Sequence, residues 1–203
     1  FVGGVILTLV HMYQLQQQLL RSSVLQHTGL YTQALAEFRT IYTSDVVARV
    51  KRQGIEVTHD FESRPDAIPL PATLSMKLGN RIGSHQDGAD TRLYSAYPFP
   101  WRTQEGGLSD QFARDAWAFL NRFPEQPFYR FESHQGRPVL RYATADIMRP
   151  SCVNCHNSHA DSPKRNWQEG DVRGVLEIIH PMENILTEVD DSFRNLAVLL
   201  ISI

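Results

Sequence analysis

Residues 151–159, SCVNCHNSH, hold both cysteines of the chain: two thiols three positions apart, a histidine directly after the second, and another three residues further on. Thiol pairs at this spacing serve as disulfides, zinc sites, redox dithiols or haem anchors. A disulfide closing so short a ring stabilises little. Zinc takes four ligands, and Cys152, Cys155, His156 and His159 are nominally enough. The separated ligand pairs usual in structural zinc sites are absent, however, and four donors so close together are cramped. A thioredoxin-like dithiol opens a helix in a βαβ setting, whereas the flanks here are Arg149-Pro150 and Asn157-Ser158. Haem of the c type makes one thioether bond from each cysteine to vinyl groups on one edge of the macrocycle, and the adjoining imidazole reaches the iron. Cys152-Val153-Asn154-Cys155-His156 fits that chemistry without a mismatch. The motif predicts one covalently attached haem c, with Cys152 and Cys155 on the porphyrin and His156 on the iron.

A second iron ligand has to come from elsewhere. His159 is too close in sequence to His156 to wrap to the opposite haem face, and His11 and Met12 sit in an apolar terminal region. His59, in VTHDF, is the preferred candidate because a flexible segment can lay it over the ring, with Asp60 nearby. An open sixth site is the alternative. Met76, on a short helix, is expected to pack in the core. The distinction matters: an iron with two strong ligands senses or passes electrons, and one with a vacant site binds nitric oxide, carbon monoxide or oxygen. Arg141, Arg149, Lys164, Arg165 and Arg173 cluster around the motif in sequence. Arg141, Arg149 and Arg173 are candidates to pair with haem propionates; a solvated basic face is the alternative. Tyr97, Phe99, Trp101 and Trp167 are candidates to wall the pocket, with ordinary core packing as the bland reading.

Other chemistries find little support. No nucleophile–base pair at telling spacing, Gly-rich phosphate loop or recognisable carboxylate pair is present, so the chain does not read as an enzyme. Net charge is −2 and no long basic run appears, which argues against a nucleic-acid partner. With 203 residues, 42% hydrophobic and 21% charged, the chain has room for one sizeable domain and its core.

The elements that must position the motif follow from periodicity. Between Gly4 and Gly54 there is no proline and, apart from Gly29, no glycine. Leu15, Leu19, Val24, Leu25, Leu30, Leu35, Phe38, Ile41 and Val46 recur at helical spacing, which predicts one or two long helices with a break at Gly29. Leu74, Leu78 and Ile82 predict a short helix begun by Pro71 and ended by Gly83. LYSAYPFPWRTQEGG reads as an irregular packed loop. Ser109 is the expected N-cap of a helix whose stripe is Phe112, Ala116, Phe119, Leu120 and Phe123. Phe128–Ser133 and Arg137–Thr144, flanking His134-Gln135-Gly136, predict a hairpin, and residues 170–180 a third strand. The cysteine pair falls between them. A last helix follows Pro181, with Met182, Ile185, Leu186, Val189, Phe193 and Leu196 on one face. Strands gathered after helices, with antiparallel character, predict an α+β fold. The runs FVGGVILTLV and NLAVLLISI are each about half of the roughly 20 residues that cross a bilayer as a helix. They are expected to be the inner ends of two membrane spans that bracket the domain.

MRPSCVNCHNSHADSPKRNWQEGDVRGVLEI, with AIPLPAT, LYSAYPFPWR and PFYRFESHQGRPVLRYATAD before it, resembles the single-haem, PAS-like c-type domain family that forms the extracytoplasmic sensor half of bacterial receptors. The resemblance covers roughly residues 30–182 and is most specific from Arg137 to Glu177. It implies a PAS-like antiparallel sheet with haem on one side, held through Cys152, Cys155 and His156. Taken with the apolar ends and the helical periodicity, the expected division is a membrane-helix end (1–13), a helical stalk (14–54), a PAS-like haem c domain (55–182), a helical linker (183–195) and the start of a second membrane helix (196–203). Some members use a cysteine near the end of the first long helix as second axial ligand; Ile41-Tyr42-Thr43-Ser44-Asp45 has none. The expected function is a haem c sensor detecting redox state or a diatomic gas. The expected location is the inner membrane with the haem domain on the periplasmic side, as a homodimer, with a catalytic output module lying elsewhere in the full-length receptor. The alternative is a membrane-anchored monohaem cytochrome that carries electrons to a redox partner.

Overall fold

A computed structural model describes residues 2–85 and 88–201. Helix α1 (Val2–Ile41) runs without a break. Gly29 does not interrupt it; a Cβ there would lie 3.0 Å from the Tyr142 hydroxyl, so this glycine lets a strand approach the helix closely. A π-helical turn (Tyr42–Val47) continues into α2 (Ala48–Arg52). Gly54, at φ +78°, then stops the helix, with its N–H donating to the Lys51 carbonyl. Strands β1 (Val57–Thr58) and β2 (Ile68–Pro69) pair in parallel across a loop tied by Arg64 to Glu56 and Asp60.

Helix α3 (Pro71–His85) begins at the expected proline but passes through Gly83. A Cβ at Gly83 would sit 1.8 Å from the Ala89 carbonyl oxygen, and one at Gly79 would meet Thr91. These glycines mark close packing on the next strand, β3 (Asp90–Tyr94), instead of a helix end. β3 is not expected from the sequence, and its last two residues, Leu93 and Tyr94, belong to the stretch that reads as irregular. Helix α4 (Gln111–Arg122) is capped by Asp110, whose carboxylate accepts from the Ala113 N–H at 2.8 Å; Ser109 is not the cap. Strands β4 (Phe128–His134) and β5 (Arg137–Ile147) form the expected hairpin. Its turn residues Gln135 and Gly136 have φ of 53° and 79°, the left-handed pair that matches strand twist in a two-residue hairpin. After helix α5 (Pro150–Ser158) come β6 (Val172–Pro181) and α6 (Glu183–Ile201).

The larger sheet has the order β3-β6-β5-β4, antiparallel throughout, so the architecture is α+β. Alternation along the strands sends side chains to two faces. Ala143 and Val175 join Tyr94, Phe112, Ala116 and Leu120 in a core under α4. Leu176 and Ile178 pack with Leu35, and Leu140 packs with Val24 and Met182. From about Val24 onward the helix expected as a stalk is therefore part of the domain core. Tyr13 meets Phe193 edge-on, at 5.0 Å between ring centres. Since Val24 lies near Met182 and Tyr13 near Phe193, α1 and α6 run antiparallel and their outer ends lie at one end of the molecule. Among the described residues no helix is long and apolar enough to cross a membrane; Phe1, Ser202 and Ile203, at the expected span ends, lie outside those residues.

Candidate functional site

Arg149 precedes Pro150, which occupies the first turn of α5 with its fixed φ and missing N–H, so the chain turns from β5 into a helix there. The cysteine pair thus does open a helix, although between antiparallel strands and not in a βαβ unit. Three residues apart on a helix, Cys152 and Cys155 share a face, and both are free and half-buried. With His156 and His159 they line a cavity of about 260 Å³ at one end of the sheet. The ends of β3 and β6 (Leu93, Gly174), the π turn and α2 (Thr43, Val47, Lys51), and α3 (Ala72, Met76) supply other parts of its wall.

The His156 ring stands edge-on to Phe99 and Trp167, at 5.3 and 6.5 Å between centres. Burial, and then the Arg173 charge, push its pKa down to about 4. At neutral pH the imidazole is therefore uncharged and keeps a lone pair, as a metal ligand must. Arg173 Nη1 lies 3.1 Å from His156 Nε2. A guanidinium can only donate, so this contact marks Nε2 as the nitrogen that carries the lone pair.

Behind the imidazole is a buried ionic cluster. Arg173 Nη2 donates to Asp146 Oδ2 at 2.7 Å, and Arg39 Nη2, from α1, donates to Asp146 Oδ1 at 2.5 Å. Burial opposes charge on Asp146, but the two arginines outweigh it and hold the carboxyl below its ordinary range. One carboxylate faces two guanidiniums, and Arg173 Nε and Arg39 Nη1 are buried without a hydrogen-bond partner among the described residues. A buried positive charge with spare donors calls for an anion. A haem, with its apolar ring and carboxylate tails, fits the combination of paired thiols, neutral imidazole, a mostly apolar wall that includes Tyr97, Phe99 and Trp101, and the spare donor of Arg173.

The other residues singled out from the sequence are distributed unevenly. Tyr97, Phe99 and Trp101 line the cavity. Trp167 packs edge-on to Tyr97 at 5.6 Å and is tied to α5 by two hydrogen bonds with Asn157. His59 does not enter the cavity: it stacks on Trp101 at 4.2 Å, and Trp101 stacks in turn on Phe99 at 4.6 Å, so the indole stands in its way. Arg141 is not in the wall either. An odd number of residues from Asp146, it points to the other face of the sheet. There it lies over Phe112 and pairs with Glu177 at 2.5 Å, Asp110 at 2.9 Å and Glu132 at 3.3 Å. Arg149 donates to the Thr40 hydroxyl and, unlike Arg173, does not line the cavity. Lys164 lies over Trp167 and pairs with Asp171, and Arg165 donates to the Ala160 carbonyl. Met76, expected in the core, lines the cavity. Arg39 and Asp146 carried no sequence signal of a role; 107 positions separate them. Among the described residues no three His, Cys, Asp or Glu side chains are grouped to hold a metal ion, the donors of α5 included.

No curated protein and no solved structure compared with the chain matches it. A family model described as Tll0287-like matches residues 16–181, from the middle of α1 to the end of β6 and across every wall of the cavity. The chain belongs to the Tll0287-like domain family, a family of haem c sensor type.

Proposed function

We propose that the chain is the PAS-like haem c sensor domain of a transmembrane receptor, held on the extracytoplasmic side of the inner membrane. It binds one haem c, whose iron supplies one-electron chemistry and affinity for diatomic gases. Cys152 and Cys155 hold the porphyrin by thioether bonds, His156 offers its neutral imidazole, and Phe99 and Trp101 keep water from that face. Arg173, with Arg39 behind it, receives a propionate. The observation that carries this reading is the shared carboxylate: Arg39 and Arg173 divide Asp146 between them, and Arg173, which lines the cavity, keeps Nε without a hydrogen-bond partner among the described residues. Because Arg39 belongs to α1, a change of charge at the cavity acts on the helix that leads out of the domain. The chain itself is not an enzyme; a separate output module takes the signal.

Tethering is supported by the exposed apolar residues Ile6, Leu7 and Val10 on α1 and Val198 on α6, at the end of the molecule where both helices emerge. A homodimer is supported by a second stripe on α1. Leu19, Leu30 and Ile41 are 62%, 66% and 57% exposed and recur every eleven residues. That spacing keeps them in a line nearly parallel to the helix axis, on the side away from Val24, Leu35 and Arg39.

The test is expression with haem c maturation machinery, followed by intact mass and a pyridine haemochrome spectrum. A mass gain of one haem is expected, with loss of covalent attachment when Cys152→Ala and Cys155→Ala are combined. An unmodified mass with no Soret absorption sinks the reading. Sensing, as opposed to electron carriage, predicts that hydrogen exchange around Arg39 in α1 differs between oxidised and reduced protein; identical exchange favours the carrier.

A further inference from the structure

The cavity also speaks to the second iron ligand. An iron held by His156 needs its other protein donor from a wall that α5 does not provide. His159 fails on that ground: its ring and that of His156 both stand edge-on to Phe99, each at 5.3 Å, so the two share one side. Lys51 has Nζ 3.7 Å from Cys155 Sγ and is exposed, which places it at the thiol edge. Asp146 is occupied by Arg39 and Arg173. The Thr43 hydroxyl donates to the Arg39 carbonyl at 2.7 Å and is a poor ligand for haem iron in any case. Tyr94 packs with Phe112 and Leu120 in the core under α4, and Tyr97 stands edge-on to Trp117 and Trp167, which leaves Met76.

Its placement follows from the local sequence. Leu74, Leu78 and Ile82 form the apolar stripe of α3, with Leu78 packed on the Leu35 cluster. Ala72, Thr73 and Met76 fall on a different face by helical geometry, and that face lines the cavity. One turn beyond Met76, Gly79 seats the helix on Thr91 and accepts a hydrogen bond from the Tyr31 hydroxyl at 2.8 Å. Met76 therefore projects from an anchored helix, and it is the one thioether among the described residues of the cavity wall.

We propose that Met76 is the second axial ligand of the iron, its sulfur facing the His156 imidazole across the porphyrin. The proposal rests on the haem c reading above. Histidine–methionine ligation raises the reduction potential relative to bis-nitrogen ligation. It also makes gas binding depend on displacing the thioether, so the resting site responds to electrons first.

The experiment uses the haem-loaded chain and its Met76→Leu and Met76→His variants. Leucine conserves volume in a packed wall, which separates loss of the ligand from loss of the fold. The expected wild-type ferric spectrum is low-spin, with the far-red sulfur-to-iron charge-transfer band. In Met76→Leu that band disappears, the iron becomes high-spin, and carbon monoxide binds the ferrous form at least tenfold faster. In Met76→His the low-spin state returns without the far-red band and with a lower potential. A wild-type spectrum that is high-spin, or low-spin without the band, overturns the proposal, as does a Met76→Leu spectrum identical to wild type. Covalent haem confirmed by mass in all these proteins confines such a failure to Met76, whereas absence of haem from the wild type refutes the haem reading and this proposal with it.

Discussion

Asp146 is the residue on which the site's electrostatics turn. A carboxylate buried between two guanidiniums is held there by hydrogen bonds from both, and removing one member of a buried ion cluster leaves the others uncompensated. Asp146→Asn is expected to lower the stability of the haem-free chain by about 3 to 5 kcal/mol, read from the shift in urea midpoint at constant slope. Adding Arg173→Met to Asp146→Asn should recover part of that loss, since the second change removes one stranded charge; strict additivity of the two changes would refute the coupling. At this scale the sequence was informative where close spacing fixes placement: Cys152, Cys155 and His156, expected to act together, do line one cavity. It misled where proximity along the chain stood in for proximity in space. Arg141 is near the motif in sequence, yet strand parity puts it on the face away from Asp146. His59 has the right chemistry, but nothing along the chain shows that Trp101 stands between it and the cavity.

Among the elements, α4 carries a prediction about pH. Burial opposes charge on Asp110, but the Ala113 N–H and the Arg141 guanidinium outweigh it and hold its carboxyl below the ordinary range. A carboxyl depressed in the folded state binds its proton first in the unfolded state. Its contribution is therefore full above the ordinary Asp value of about 3.9 and is lost as pH falls through the depressed folded value. Asp110→Ala should cost about 1 kcal/mol or more through the lost cap at neutral pH, and thermal unfolding of the variant should show a shallower loss of stability on acidification below pH 4. A slope equal to that of the wild type would refute the assignment. The helices and the hairpin were legible because their periodicities are long or their turn chemistry is specific. β3 was not: five residues beside a proline-rich aromatic run show too short an alternation, and the strand exists because β6 is there to pair with it. Gly29 and Gly83 were read as interruptions for a related reason. In one dimension a glycine that admits a neighbouring backbone looks the same as one that ends a helix.

At the scale of the whole molecule, the antiparallel pair of α1 and α6 brings both outer helix ends together while the sheet and cavity lie beyond them. If the outward stripe of α1 joins two copies, Leu19→Glu combined with Leu30→Glu should convert a dimer to a monomer in light scattering, with haem content unchanged. A mass unaffected by the two changes would rule that stripe out as the interface. The π-helical turn at Tyr42–Val47 has a further consequence for how α1 and the cavity are geared together. An i→i+5 turn fits an additional residue into the helix, so the side chains beyond it are rotated by about 100° from the phase that the first forty residues set. Thr43 and Val47 face the cavity from within that turn, with Ala48 and Lys51 just after it. A small axial slide or twist of α1 that wound this turn back to ordinary α-helical pitch would therefore rephase the whole of this wall.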